Sequence, residues 1–320
     1  MDAIGGYFEL ELRHGEHYHK DAIRLNTARN CFEYVLIARK YRRVYIPYYT
    51  CEVMLQPLRR QHVEYAFYSI DWNLEPIETF NLKEGEAFLY TNYFGLKQDC
   101  VERLANVYGS RLIVDNAQAF YAPRIEGIDT FYSPRKFFGV PDGGYLYTDC
   151  RLEEELPQDT SYERMAHLLI RADKDAETGY GAFRENEDKL DNAPIMMMSK
   201  LTEKLLMSID YHTIAQTRKK NYQYLDSFLK DKNKFPIKAD PDDTPMSYPY
   251  LSYTNEIKKK LIYHRIYIPT YWTNIYNLCS QNSLEYKMTD NLLCIPIDQR
   301  MQLEDISCIW KYLYYEYKHD

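Results

Sequence analysis

Two residues about twenty positions apart carry the clearest chemical signal in this chain. Lys136 ends the run Ser133-Pro-Arg-Lys136, with Asp142-Gly-Gly144 just beyond, and Asp115 closes the apolar run Leu112-Ile-Val-Asp115. A lysine at the end of one strand can form a Schiff base with an aldehyde. An aspartate at the end of another can hold a pyridine nitrogen protonated. Together they read as the two poles of a pyridoxal phosphate (PLP) site. The phosphate of such a cofactor needs backbone N–H groups at a helix start, where the macrodipole adds to the hydrogen bonds. Thr27, Ala28 and Arg29 stand at such a start and are placed to supply them.

Both poles must be carried to one rim, which requires strands whose carboxyl ends meet. The pattern from residue 25 onward supports this. Apolar positions Cys31, Tyr34, Val35 and Ala38 recur at helical spacing over 30–40. Strands are predicted at 43–47, 62–68, 87–91, 111–115, 131–133 and 145–148, and helices at 50–58 and 99–108. Alternation of this kind indicates an α/β fold with a mainly parallel central sheet covered by helices, and ligands of such sheets gather at the carboxyl ends of the strands.

Beyond residue 150 the chain is charge-rich, with an exposed loop predicted over 173–181 and one long helix, or two joined, over 200–231. Strand candidates follow at 248–253, 266–268 and 291–295. This divides the chain into a large cofactor-binding unit over 1–215 and a smaller C-terminal α+β unit over 216–320.

The 320 residues suffice for a large and a small domain at ~100–200 residues each. A net charge of −7 and a pI near 5.7 oppose a dedicated nucleic-acid binder. The basic clusters at 39–43 and 258–260 read as solvated surface. Seven cysteines, at 31, 51, 100, 150, 279, 294 and 308, lack the short paired spacing of a zinc or redox site, so they are expected as reduced thiols. His14, His17 and His19 cluster without a carboxylate or cysteine partner set, so no metal is expected. The Met196-Met-Met198 run reads as packing, and Tyr314, Tyr315 and Tyr317 as a half-buried terminal helix. The N-terminus lacks a basic region followed by an apolar core, and no apolar run reaches ~18 residues. A cytoplasmic protein without membrane contact is expected.

Four segments, in order, resemble those of the DegT-type aminotransferases, fold type I PLP enzymes that aminate keto sugars on nucleotide carriers. Leu25-Asn-Thr-Ala-Arg-Asn-Cys-Phe32 is similar to the family's Ser-Gly-Thr-Ala-Ala-Leu turn, with Ala28 where glycine is usual. Val114-Asp-Asn-Ala-Gln-Ala119 resembles Glu-Asp-Ala-Ala-Gln-Ala, Ser133-Pro-Arg-Lys136 with Asp142-Gly-Gly144 the lysine loop, and Cys294-Ile-Pro-Ile-Asp298 the Leu-Pro-Ile-His/Asp segment.

The resemblance implies PLP as cofactor, Gln118 near the ring hydroxyl, and the Ser133 hydroxyl near the phosphate. It also implies a homodimer that takes an amino-acid donor, often glutamate, and a keto-sugar acceptor for surface polysaccharide synthesis. Three positions depart from the pattern: Phe131 stands where a serine is usual, and Cys51 where an aromatic ring is usual, leaving Tyr48 or Tyr49 to stack on the cofactor. The third is the Asn-x-Arg-Met-Ser motif, present only as Met198-Ser199. Two other readings stand beside the aminotransferase. One is other PLP chemistry such as dehydration, which Lys136 disfavours because the dehydratases carry histidine there; the other is a non-catalytic relative that binds a sugar nucleotide or a protein.

Overall fold

The computed structural model describes residues 4–252 and 256–316. Seven strands form the central sheet: β1 (Ile23–Leu25), β2 (Arg43–Pro47), β3 (Glu64–Tyr68), β4 (Glu86–Thr91), β5 (Leu112–Asn116), β6 (Asp129–Tyr132) and β7 (Gly144–Tyr147). They lie in the order β1-β7-β6-β5-β4-β2-β3. Strands β2 to β6 are parallel, while β7 runs antiparallel to both β6 and β1.

The central strands are apolar throughout because both faces of the sheet are covered. Along β4, Phe88 and Tyr90 enter one core while Ala87 and Leu89 enter the other; β5 divides Leu112 and Val114 from Ile113 in the same way. Helix α1 (Ala28–Arg39) covers one face with Cys31, Phe32, Val35 and Leu36, joined by Leu55 and Leu58 of α2 (Leu55–Arg60). Helix α3 (Gln98–Tyr108) covers the other with Cys100 and Val101. The helix predicted over 30–40 thus begins slightly earlier, at its Thr27 cap.

Helices α4 (Ala166–Asp173) and α5 (Ala176–Leu190) form a hairpin, followed by α6 (Lys200–Met207) and α7 (Tyr211–Leu229). The loop predicted over 173–181 is mostly the first turns of α5, because Asp175 caps the helix by accepting the Thr178 N–H at 2.8 Å. Gly179, which suggested a loop, allows close packing: a Cβ there would stand 3.1 Å from the His167 carbonyl oxygen of α4. The segment 200–231 is two helices, because Asp210 caps α7 through the Thr213 N–H.

The C-terminal unit pairs β8 (Ser247–Leu251) antiparallel with β9 (Leu292–Pro296), with α8 (Glu256–Tyr263), α9 (Ile275–Leu278), α10 (Leu284–Asn291) and α11 (Leu303–Glu316) around them. It has its own core, in which Tyr222, Leu225 and Leu229 of α7 meet Tyr248, Leu293 and Ile309. The divide expected at 215/216 falls inside α7, a continuous helix whose last turns belong to this second core. Residues 266–268, predicted as a strand, are irregular, since β8 and β9 pair only with each other. Tyr253 and the side chains of Tyr314, Tyr315 and Tyr317 lie outside the described residues.

His17 and His19 are buried against β7, next to the sheet's β1 edge. The His17 ring bonds the Tyr145 hydroxyl at 2.7 Å, and His19 reaches the Phe120 carbonyl at 2.9 Å. The seven cysteines are free thiols; Cys31, Cys100 and Cys294 are buried and Cys308 is exposed. No described helix is long and apolar enough to cross a membrane.

Candidate active site

Asp115 is set by its strand. In β5 it lies between Thr91 of β4 and Phe131 of β6 in register, at the carboxyl rim of three parallel strands. It is 5% exposed, and one carboxylate oxygen accepts the Ala117 N–H at 2.8 Å. No cation pairs with it among the described residues. Burial pushes its carboxyl up to about 6, against the opposing pull of that N–H and of Lys136.

Lys136 follows the end of the next strand. After β6, Pro134 opens a single 3₁₀ turn over Pro134–Lys136, and the Phe137 and Phe138 N–H groups bond back to the Pro134 carbonyl at 3.0 and 2.9 Å. The turn aims Lys136 into open space deep within the molecule, where its side chain remains exposed to a cavity. The surrounding protein lowers its pKa and Arg135 adds to the fall, while Cys51 and Asp115 oppose it. Its Nζ stands 5.7 Å from the centre of the Tyr271 ring.

The Asp-Gly-Gly motif locks this loop. Asp142, fully buried, accepts the Ser199 hydroxyl at 2.7 Å and the Ser199 N–H at 3.2 Å, which ties the lysine loop to the start of α6. Gly143 has φ +122°, a conformation that requires glycine. Gly144 is pressed against the head of α1: a Cβ there would lie 2.6 Å from the Thr27 carbonyl oxygen and 2.7 Å from the Ala28 nitrogen. The lysine loop and the predicted phosphate turn are therefore in contact.

In that turn the Thr27 hydroxyl caps α1 by accepting the Asn30 N–H at 3.0 Å, and its proton remains available to a ligand. The Arg29 N–H has no protein acceptor among the described residues, and the Ala28 nitrogen lies close beneath Gly144. The Arg29 side chain turns away, donating to Gln56 at 2.5 Å and Asp191 at 2.7 Å. Ser133 is buried, and its hydroxyl makes no cap bond to the turn that it opens.

Gln118 is 3% exposed, and its amide oxygen accepts the Phe94 N–H at 2.9 Å. This orients the amide so that its NH₂ is the group left to meet a ligand. Phe94 and Gly95, both at positive φ, form the turn after β4 that makes the bond possible.

Tyr49 departs from expectation. It is 1% exposed, packed between Tyr93 and Trp272 with centroids 5.8 and 5.0 Å away, so no face remains for a cofactor. Tyr48 stacks on Phe67 at 4.7 Å. The aromatic ring that does flank Lys136 is Tyr271, from the C-terminal unit. Sequence reasoning missed it because it lies 135 positions beyond the lysine, outside every quoted motif.

No protein-family model and no curated protein matches the chain. Solved structures do match it. A DegT DnrJ EryC1 StrS aminotransferase from Brucella abortus superposes with a TM-score of 0.59 at 14% identity over 92% of this chain and 85% of that one. The chain has the fold of the DegT-type aminotransferases. The sugar aminotransferase CalS13 from Micromonospora echinospora matches at 0.59 and 12% identity, over 91% and 86% of the two chains. The E coli GDP-4-keto-6-deoxy-D-mannose-3-dehydratase with bound hydrated PLP matches at 0.62 and 14%, over 91% and 87%. At this identity the likeness is one of fold, so the function rests on the residues of the site.

Proposed function

We propose that the chain is a PLP-dependent aminotransferase that moves an amino group from an amino-acid donor to a keto group of a nucleotide-linked sugar. The carrying observation is the convergence, on one sheet rim, of a buried carboxylate that lacks a cation and a lysine that faces open space. The donor set fits the cofactor: Asp115 for the ring nitrogen, the Gln118 NH₂ for the ring hydroxyl, and the Thr27 hydroxyl, Arg29 N–H and Ser133 hydroxyl for the phosphate. When bound, PLP supplies an electron sink for negative charge at the donor's Cα.

The protein's own groups do the rest. Asp115 would hold a proton on the ring nitrogen, because a cation opposite it would relieve the cost of its burial. Lys136 would hold the cofactor through its Nζ and, once the donor's amine has released it, would take up the proton from the donor's Cα. Its lowered pKa favours the free amine that this step needs. Tyr271 and Cys51 flank the lysine in place of the usual aromatic ring.

A sugar acceptor is supported by the named chemistry of the structural relatives, and Lys136 supports amine transfer over dehydration. The homodimer is proposed as well, supported by exposed apolar side chains of the N-terminal segment such as Tyr7 and Phe8, at 98% and 92%. Candidate amino donors, glutamate first, added to the PLP-loaded protein should change the cofactor's absorbance. A full donor panel that leaves the spectrum unchanged overturns the reading.

A further inference from the structure

The cavity beside Lys136 has a far wall that the lysine chemistry leaves unused. Its volume is about 490 Å³, within the range of small-molecule sites, and beyond the lysine loop it is bounded by α4, α5, α7 and the 298–300 turn. Asp115, Gln118 and the phosphate turn lie outside this lining while Lys136 belongs to it, so the space adjoins that assigned to the cofactor. Five cationic residues line it, Arg135, Lys136, Arg171, Arg218 and Arg300, against the single carboxylate of Asp298. This occurs in a chain whose net charge is −7.

Most of these cations are already engaged. Arg135 pairs with Glu187, and Arg300 with Asp298 at 2.8 Å. Arg218 is buried; it donates to the Met246 carbonyl at 3.0 Å and lies over the Phe137 ring at 4.6 Å. Arg171 differs from them. It projects from the last turn of α4, is exposed to the cavity, and makes no ion pair or hydrogen bond among the described residues. Partial burial and then Arg300 lower its pKa, against the opposing pull of Asp298 and Glu177. An anion in the cavity would give Arg171 a partner of opposite charge and would be drawn by Arg300 as well.

We propose that this cavity binds the anionic arm of a substrate, a carboxylate or phosphate oxyanion, with Arg171 as the holding charge and Arg300, fixed by Asp298, as the second. The inference rests on the reading of Lys136 as the amine-transfer residue. Two sources share this chemistry: the side-chain carboxylate of an acidic amino donor and the phosphate of a phosphorylated keto acceptor. Neither could be read from the sequence, because the lining comes from five separate stretches of chain.

The test is calorimetric titration of PLP-saturated protein, in which the phosphate turn is already filled. The probes are glutarate, a dicarboxylate without an amine, and inorganic pyrophosphate. At least one should bind, and Arg171→Gln should weaken it about tenfold or more, with Arg171→Lys retaining part of the affinity. Binding of glutarate alone assigns the arm to the donor, of pyrophosphate alone to the acceptor, and of both to a shared oxyanion site. Equal affinity in wild type and Arg171→Gln, or no binding of either probe at millimolar concentration, overturns the proposal. Arg171 is exposed and unpaired among the described residues, so the variant should keep the wild-type unfolding temperature. Should it not, Arg171→Lys against wild type decides, with unchanged affinity for both probes counting against the proposal. Failure of PLP to attach at Lys136, with Arg171-dependent binding intact, removes the aminotransferase reading and leaves the anion site standing.

Discussion

Replacing Asp115 by asparagine should flatten one limb of the cofactor-free protein's stability against pH while weakening every property that depends on PLP. Burial raises the Asp115 carboxyl from 3.8 to about 6, roughly two units. At ~1.4 kcal/mol per unit this amounts to about 3 kcal/mol of stability withheld from the ionised folded state. The raised value means that the folded protein holds this proton more tightly than the unfolded chain does. Stability is therefore lost as pH rises through the window from 3.8 to about 6, and the loss is complete above it.

Asparagine abolishes that loss but introduces an NH₂ whose burial without a partner costs about 1–3 kcal/mol. At neutral pH the two effects oppose each other, whereas the amide cost is independent of pH. The decisive quantity is the difference in unfolding free energy, variant minus wild type. It should rise by about 3 kcal/mol across the window, as measured by urea denaturation of the cofactor-free proteins at a series of pH values. With saturating PLP the wild type should gain more stability than the variant, because only the carboxylate can pair with a protonated ring nitrogen. A difference that stays constant with pH would refute the claim that Asp115 is a buried carboxylate without a cation.

Two further outcomes follow from the packing. His17 and His19 are held neutral by burial, each with its pKa brought down from 6.5 to about 4, so the unfolded chain takes up protons first and stability should fall as pH drops through that window. Each contributes up to about 3 kcal/mol at the acid end, and the paired variant His17→Gln/His19→Phe should flatten the slope; an unchanged slope would count against the buried placement. Gly144→Ala should cost about 1–3 kcal/mol of stability by driving a methyl into the Thr27 carbonyl, and should also weaken PLP binding because that contact joins the lysine loop to the phosphate turn. Wild-type stability together with wild-type PLP affinity in this variant would contradict the contact.

The parallel sheet was legible because strands covered on both faces become continuous apolar runs, and 87–91 and 111–115 are such runs. Asp115 and Lys136 were legible for the same reason: each ends a strand, and strand ends are where ligands gather. What stayed hidden depends on contacts distant in sequence. Nothing local marks Tyr49 as core or Tyr271 as the lysine's neighbour, since both follow from how the C-terminal unit meets the sheet. The double glycine was seen as a motif, but its cause, the pressure of Gly144 on the head of α1, appears only in three dimensions. Strand β1 has three residues and pairs antiparallel at the edge, too short to show a period. Residues 266–268 alternate like a strand but pair with no strand among the described residues.

The central claim is that Lys136 is the residue to which PLP attaches, and reductive trapping tests it most directly. The protein is incubated with PLP, reduced with borohydride, digested, and its peptides are mapped by mass. The account expects one dominant pyridoxyl label on Lys136, lost in Lys136→Ala and reduced in occupancy in Asp115→Asn. A protein that takes up no label, or one in which the label spreads over other lysines and persists in Lys136→Ala, would contradict it.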